Sequence, residues 1–148
     1  MSEQPCASPR VGRPPSKSST MSGEDIVQPT GNIEIHVSGA EEALFLPGAR
    51  WKVASGYTFE FRPNGNFEVR NPANALVWES ATGDLGATKL ALQPNGDLLI
   101  CAGDDPVPLW QSGTAGNPDA FIAFQQDGNF VVYGKDTHPL WASDTVGK

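Results

Sequence analysis

The chain has 148 residues, room for one domain, and carries 17 Asp and Glu against 10 Lys and Arg, a formal net charge of −7. That balance argues against nucleic acid or an anionic membrane surface as partner, since both call for clustered cations. No apolar run approaches the roughly 20 residues of a membrane-spanning helix, so no membrane insertion is expected.

Residues 1–30 differ from the rest. They are rich in Ser and Pro, hold no aromatic side chain, and their three basic and three acidic residues cancel. Such a segment has too little to bury to offset its ordering entropy, which predicts a disordered tail (1–30) ahead of a folded domain (31–148). The whole net charge then falls on the domain. Cys6 lies in the tail and Cys101 in a predicted strand; a tail-to-core bridge is possible but unsupported by the sequence, and a reducing compartment is the simpler expectation. The N-terminus lacks an apolar signal core, which predicts a cytoplasmic location or release without a leader.

The first structured stretch, Ile33-Glu34-Ile35-His36-Val37, alternates as a strand does. Glu41 and Glu42 read as loop acids, and Trp51 falls in another early strand as a packing residue. Three repeats follow, roughly 46–80, 81–112 and 113–148. Pro63-Asn64-Gly65-Asn66-Phe67 recurs as Pro94-Asn95-Gly96-Asp97-Leu98 and again as Gln126-Asp127-Gly128-Asn129-Phe130. Trp78, Trp110 and Trp141 keep the same beat, each followed two residues later by Ser80, Ser112 or Ser143. Each repeat predicts a hairpin with a three-residue loop, a type I turn ending in a left-handed glycine at a G1 bulge. A tryptophan strand follows: Ala75–Ser80, Pro108–Ser112 and Pro139–Ser143. Short strands, regular turns and no amphipathic helical stretch make the chain all-β. One unit cannot bury its apolar face alone; three can, around an axis lined by the tryptophans.

The third repeat carries the candidate site. In Gln125-x-Asp127-x-Asn129-x-Val131-x-Tyr133, every second residue is a hydrogen-bonding side chain except Val131. A three-residue loop pairs Gln125 with Asn129, so Gln125, Asn129, Val131 and Tyr133 share one face while Phe130 and Val132 enter the core. Neutral and acidic donors and acceptors around a small apolar wall suit a sugar, and suit a metal or a phosphate poorly. The middle repeat has Gln93, Asn95, Asp97, Leu99 and Cys101 at these positions, a degenerate site that is weak or inactive. The first has Arg62, Asn64, Asn66, Glu68 and Arg70, which predicts an ion-pair cluster rather than a pocket. His36 and His138 lack any metal-ligand or triad partner at recognisable spacing. Asp104 and Asp105 read as loop acids, not as a glycosidase pair. The sequence therefore predicts neither a catalytic residue nor a cofactor or metal.

The five-position motif, together with Pro139-Leu140-Trp141-Ala142-Ser143 and the threefold repeat, resembles the snowdrop-type bulb lectins, the monocot mannose-binding family. The resemblance covers roughly residues 31–148. It implies a β-prism II fold, three four-stranded sheets around a pseudo-threefold axis, and a non-enzymatic lectin for D-mannose or mannose-rich glycans. It further implies that Gln125 bonds the mannose 3-hydroxyl, Asp127 and Asn129 the axial 2-hydroxyl, and Tyr133 the 4-hydroxyl, with Val131 against the C3–C4 face. Family members often exchange C-terminal strands, which implies a homodimer here through Leu140–Val146. The family's usual intrachain disulfide has no counterpart in this chain, which points to a microbial or fungal relative. A bacteriocin-like protein that uses the prism to target a cell surface is the alternative.

Overall fold

A computed structural model describes residue 6, residues 31–37 and residues 40–148. Apart from Cys6, the expected disordered tail lies outside the described residues. The strands are β1 (Ile33–His36), β2 (Ala43–Phe45), β3 (Arg50–Lys52), β4 (Thr58–Phe61), β5 (Phe67–Arg70), β6 (Leu76–Glu79), β7 (Lys89–Leu92), β8 (Leu98–Cys101), β9 (Trp110–Gln111), β10 (Phe121–Phe124), β11 (Phe130–Tyr133) and β12 (Pro139–Ala142). No helix occurs among the described residues.

The strands form three four-stranded antiparallel sheets: β3-β4-β5-β6, β2-β7-β8-β9 and β1-β10-β11-β12. Each repeat supplies a hairpin and a tryptophan strand. The fourth strand of every sheet comes from the stretch before the first hairpin, laid down in reverse order, so that β1 completes the sheet of the last repeat. β12 pairs with β11 of its own chain, so all three sheets are complete within one copy.

Alternation decides which residues face the axis. Phe59, Phe61, Phe67, Val69, Ile122, Phe124, Phe130 and Val132 point inward and are essentially fully buried. Trp51 is fully buried as well, with its ring 4.7 Å from Phe124 and 5.0 Å from Phe45. Its indole nitrogen has no hydrogen-bond partner, so packing alone holds it. Trp78, Trp110 and Trp141 meet edge to face, with centroids 5.7, 5.4 and 5.2 Å apart. The indole ring expected around the axis is therefore present, as packing and not as a sugar platform.

The hairpins close with the predicted turn. In the third, the Gly128 amide donates to the Gln125 carbonyl at 2.9 Å and the Gln125 amide to the Asn129 carbonyl at 3.0 Å. The first hairpin repeats both bonds between Gly65, Arg62 and Asn66, and the second between Gly96, Gln93 and Asp97. Each turn leans on the next repeat: Gly65 on Ala87, Gly96 on Asn117, and Gly128 on the ring of Tyr57 back in the first repeat. The last contact closes the circle, and the Tyr57 hydroxyl adds a bond to the Lys148 carbonyl at 3.0 Å. Gly128 has φ +94°, and a Cβ there would sit 2.4 Å from the Tyr57 ring. Gly128→Ala is expected to cost at least about 2 kcal/mol, from backbone strain and overpacking together. A urea melt reads it directly; an unchanged midpoint would contradict this account of closure.

Candidate functional site

The register of the third sheet sets Phe121 beside Tyr133 and Ala123 beside Val131, with Gln125 opposite Asn129 at the hairpin end. A bulge between Val132 and Tyr133 in the pairing with β12 falls at the tyrosine. The predicted residues are joined into one set. With the Gln125 amide oriented by its neighbours, nitrogen toward the carboxylate, its oxygen accepts from the Tyr133 hydroxyl at 2.5 Å and its nitrogen donates to the Asp127 carboxylate at 3.1 and 3.3 Å. The Asp127 carboxylate also takes the Asn129 backbone amide at 3.0 Å. Asp127 is exposed, and Gln125, Asn129 and Tyr133 are half-buried. Val131 is 1% exposed, so a ring reaches it only after a covering side chain swings aside.

Asn129 holds the far side. Its side-chain oxygen accepts from the Ser143 hydroxyl and the Thr145 amide, both at 3.2 Å. That leaves the Asn129 side-chain NH2 as the group to offer a ligand.

The other two faces carry no such pocket. In the first sheet Arg70 bonds Glu68 through Nη2 at 2.9 Å and Nε at 3.1 Å, and Arg62 stands 3.5 Å from Glu60. Asn66 gives its amide to Glu68 and Glu79 at 3.0 and 2.8 Å. The predicted ion-pair cluster fills the place of a sugar.

The middle sheet corrects the cysteine expectation. Cys101 stands where the third repeat has Tyr133, and it is disulfide-bonded to Cys6. Cys6 docks further by donating its amide to the Pro106 carbonyl at 3.0 Å. Cys6, Leu99 and Cys101 form a small buried cluster, with Leu99 and Cys101 fully buried. The bridge was possible but unsupported from sequence because Cys6 lies far outside the repeats, in a stretch with no strand pattern to place it. The disulfide thus takes the place that Tyr133 has in the third repeat, while Asn95 at the turn stays exposed.

His36 stacks on Phe121 and bonds Glu34, Glu42 pairs with Lys89 at 3.1 Å, and Asp105 caps its own loop at the Val107 amide. His138 is exposed in a turn, its amide bonded to Asp136. Among the described residues, no three His, Cys, Asp or Glu side chains gather to hold a metal.

No protein-family model matches the chain. A mannose-specific lectin from Aloe arborescens is 40% identical over 53 residues, 34% of this chain and 45% of that one; the match thus spans less than half of that relative. Among solved structures, a monomeric monocot mannose-binding lectin from Gastrodia elata superposes with a TM-score of 0.64. The identity is 25%, over 76% of this chain and 97% of that one. The agglutinin from snowdrop, Galanthus nivalis, solved with methyl-α-D-mannoside, gives 0.57 at 23% identity, over 76% and 95%. The fold is the β-prism II of the bulb lectins.

Within this β-prism II, one set of residues escaped the sequence. A hydroxyl relay repeats three times behind the turns. Thr82, Thr114 and Thr145 each bond the carbonyl of the turn glycine, at 2.6, 2.6 and 2.5 Å, and share a bond of 2.7–2.8 Å with Ser80, Ser112 or Ser143. Each serine in turn takes the amide of Phe67, Leu98 or Phe130 at 3.0 Å. The signal was a Thr four residues after each of the three repeat tryptophans, Trp78, Trp110 and Trp141. The relay also explains the exchanged Asn95 and Asp97. Asp97 accepts from Ser112, Gly113 and Thr114 at 3.0–3.2 Å, a task that needs only an acceptor oxygen, which Asp and Asn both have. Asn129→Asp should therefore keep the melting temperature within a few degrees while removing the donor and weakening sugar binding at least about tenfold. A melt with a parallel mannoside titration checks it; a large drop in stability would contradict the acceptor-only role.

Proposed function

We propose that this chain is a lectin for D-mannose or mannose-containing glycans, binding through Gln125, Asp127, Asn129, Val131 and Tyr133. One observation carries it: of three equivalent faces, only the third keeps all five motif residues, joined by hydrogen bonds, while the first carries ion pairs at those positions and the second a disulfide. The relatives described as mannose-specific and mannose-binding support the same ligand. Asp127 offers acceptors and the Asn129 amide a donor, which suits an axial 2-hydroxyl that gives and takes one bond each. Glucose, with that hydroxyl equatorial, would leave them unpaired. Calorimetry with methyl α-mannoside and methyl α-glucoside tests this: one mannoside per chain is expected, and the glucoside should bind at least about tenfold more weakly. Equal affinity would overturn the specificity, and a stoichiometry near two or three would overturn the single site.

The mechanism is recognition without bond making, and nothing among these side chains is arranged for catalysis. Binding exchanges the Gln125–Tyr133 bond for bonds to adjacent hydroxyls of the ring, so the pocket is preorganised in its backbone and rearranges only at side-chain tips.

Two finer points belong to the same proposal. A homodimer is the expected state, because a second linked site raises the avidity of a weak one. Exchange of β12 would reproduce in a second copy the contacts it makes here with β11. Light scattering should give the mass of two chains; the mass of one would contradict it. The Cys6–Cys101 bridge favours an oxidising surrounding over a reducing cytoplasm. A microbial or fungal origin rests on the absence of the family's usual intrachain disulfide from the repeats.

A further inference from the structure

Beside the mannose position, the outer face of the third sheet carries a row of rings. Tyr133 stacks on Phe121 with centroids 5.4 Å apart and planes at 25°, and Phe121 stacks on His36 at 4.5 Å and 18°. The row runs straight across β11, β10 and β1, because Phe121 is in register with both Tyr133 and His36. At its far end His36 is well exposed, with 55% of its side chain open, on the edge strand of the sheet. Glu34 lies two residues back on the same face and accepts from His36 Nε2 at 3.1 Å through one carboxylate oxygen; its side chain is 33% exposed. Its other oxygen takes no bond among those of the described residues. A carboxylate, an imidazole and an aromatic ridge thus stand together, two strand spacings, or about 10 Å, from the Tyr133 strand.

The other two sheets serve as internal controls. Where the third has His36, Phe121 and Tyr133, the first has Lys52, Thr58 and Arg70 in the same register. Lys89 and Cys101 take the last two places in the middle sheet. Where the third has Glu34, they have Arg50 and Leu44, opposite Glu60 and Ala91. The ridge and its carboxylate occur only on the sheet that keeps the sugar motif, and sheet packing needs neither of them, since both sister sheets form without them.

We propose that Glu34 and His36 form a second subsite, which takes the next pyranose of an α-linked mannoside whose first residue sits at Gln125–Tyr133. The inference rests on mannose recognition at that first position. The tops of the stacked rings guide the chain away from Tyr133, the Glu34 carboxylate accepts from hydroxyls of the second ring, and the exposed edge of the His36 imidazole borders its C–H groups. The ligand is therefore an oligomannoside and not a lone terminal sugar.

Calorimetry on the full chain with methyl α-mannoside and with α1-2, α1-3 and α1-6 dimannosides tests the subsite. At least one dimannoside should bind about five- to tenfold more tightly than methyl α-mannoside, the effect of one added hydrogen bond. His36→Ala, on an exposed side chain, and Glu34→Gln, on a half-buried one of the same shape, should bring that ratio close to one and leave methyl α-mannoside binding unchanged. Saturation-transfer NMR on the wild-type protein needs no variant and should show both rings of the preferred dimannoside in contact. Saturation confined to one ring, or a ratio unmoved by both substitutions, overturns the subsite alone. Failure of the wild-type protein to bind any mannoside overturns the mannose site itself and the subsite with it.

Discussion

Asp127→Asn is expected to abolish measurable mannose binding in a protein that folds and melts as the parent does. Asp127 has two tasks, and the substitution separates them. One carboxylate oxygen takes the Asn129 amide and shapes the turn. The middle repeat shows that Asn does this equally well, since Asn95 takes the Asp97 amide at the same 3.0 Å. What Asn cannot supply is a second acceptor with charge. A charge-assisted hydrogen bond contributes roughly 1.5–3 kcal/mol, or about one to two decades of affinity. A monosaccharide held near millimolar has only about −4 kcal/mol to lose from. Asp127→Ala would remove both tasks together and confuse folding with binding. Calorimetry with methyl α-mannoside and a thermal melt on the same sample decide the matter. Full affinity in the Asn variant would remove Asp127 from the site.

Reduction of the protein, or Cys6→Ser, is expected to lower its stability by about 2–4 kcal/mol, the usual range for a native disulfide. In a domain of this size that is roughly 6–15 °C in melting temperature. The bridge closes a separation of 95 residues and so restricts the unfolded chain strongly. It also holds Cys6 against Leu99. Deleting residues 1–28 should have the same effect, since it removes Cys6, although the composition of that segment alone suggests that it is dispensable. Melts with and without a thiol reductant measure it; coincident curves would show that the bridge adds nothing. Mannose affinity should not change, because the bridge lies on the middle sheet and the candidate site on the third.

How far the sequence went follows from what kind of interaction sets each feature. The repeats, the all-β class and the turn type were legible because they depend on local chemistry: a proline or polar residue, a glycine with positive φ, and alternation on either side. The shared face of Gln125, Asn129, Val131 and Tyr133 followed from loop length alone, and the register bears it out. The disulfide on the middle face was not legible. It depends on one cysteine that no period places, and in the sequence Cys101 looked only like a poor tyrosine. The origin of each sheet's fourth strand was hidden as well. Ile33–His36 alternates like any strand, and only closure of the circle assigns it to the last repeat. The threonines of the hydroxyl relay were in plain view at a fixed distance from each tryptophan. Their role needed the left-handed residues between serine and threonine, Ala81, Gly113 and Asp144, which aim each hydroxyl back at its turn.

The ion-pair face of the first sheet keeps the fold with different outward side chains. Arg62 and Arg70 occupy the places of Gln125 and Tyr133, and Glu68 that of Val131. The guanidiniums satisfy the carboxylates there, while Asn66 still serves the relay. The backbone frame is kept in all three repeats, and only the outward side chains determine whether a face can hold a sugar.

A crystal structure of the protein with methyl α-mannoside tests the central claim most directly. The account predicts one sugar per chain, on the third sheet, with its 2-hydroxyl between Asp127 and Asn129, the Gln125–Tyr133 bond opened, and the faces at Arg62–Arg70 and Cys101 empty. A sugar seated on the first or middle sheet, or one at the third that leaves Asp127 untouched, would contradict it.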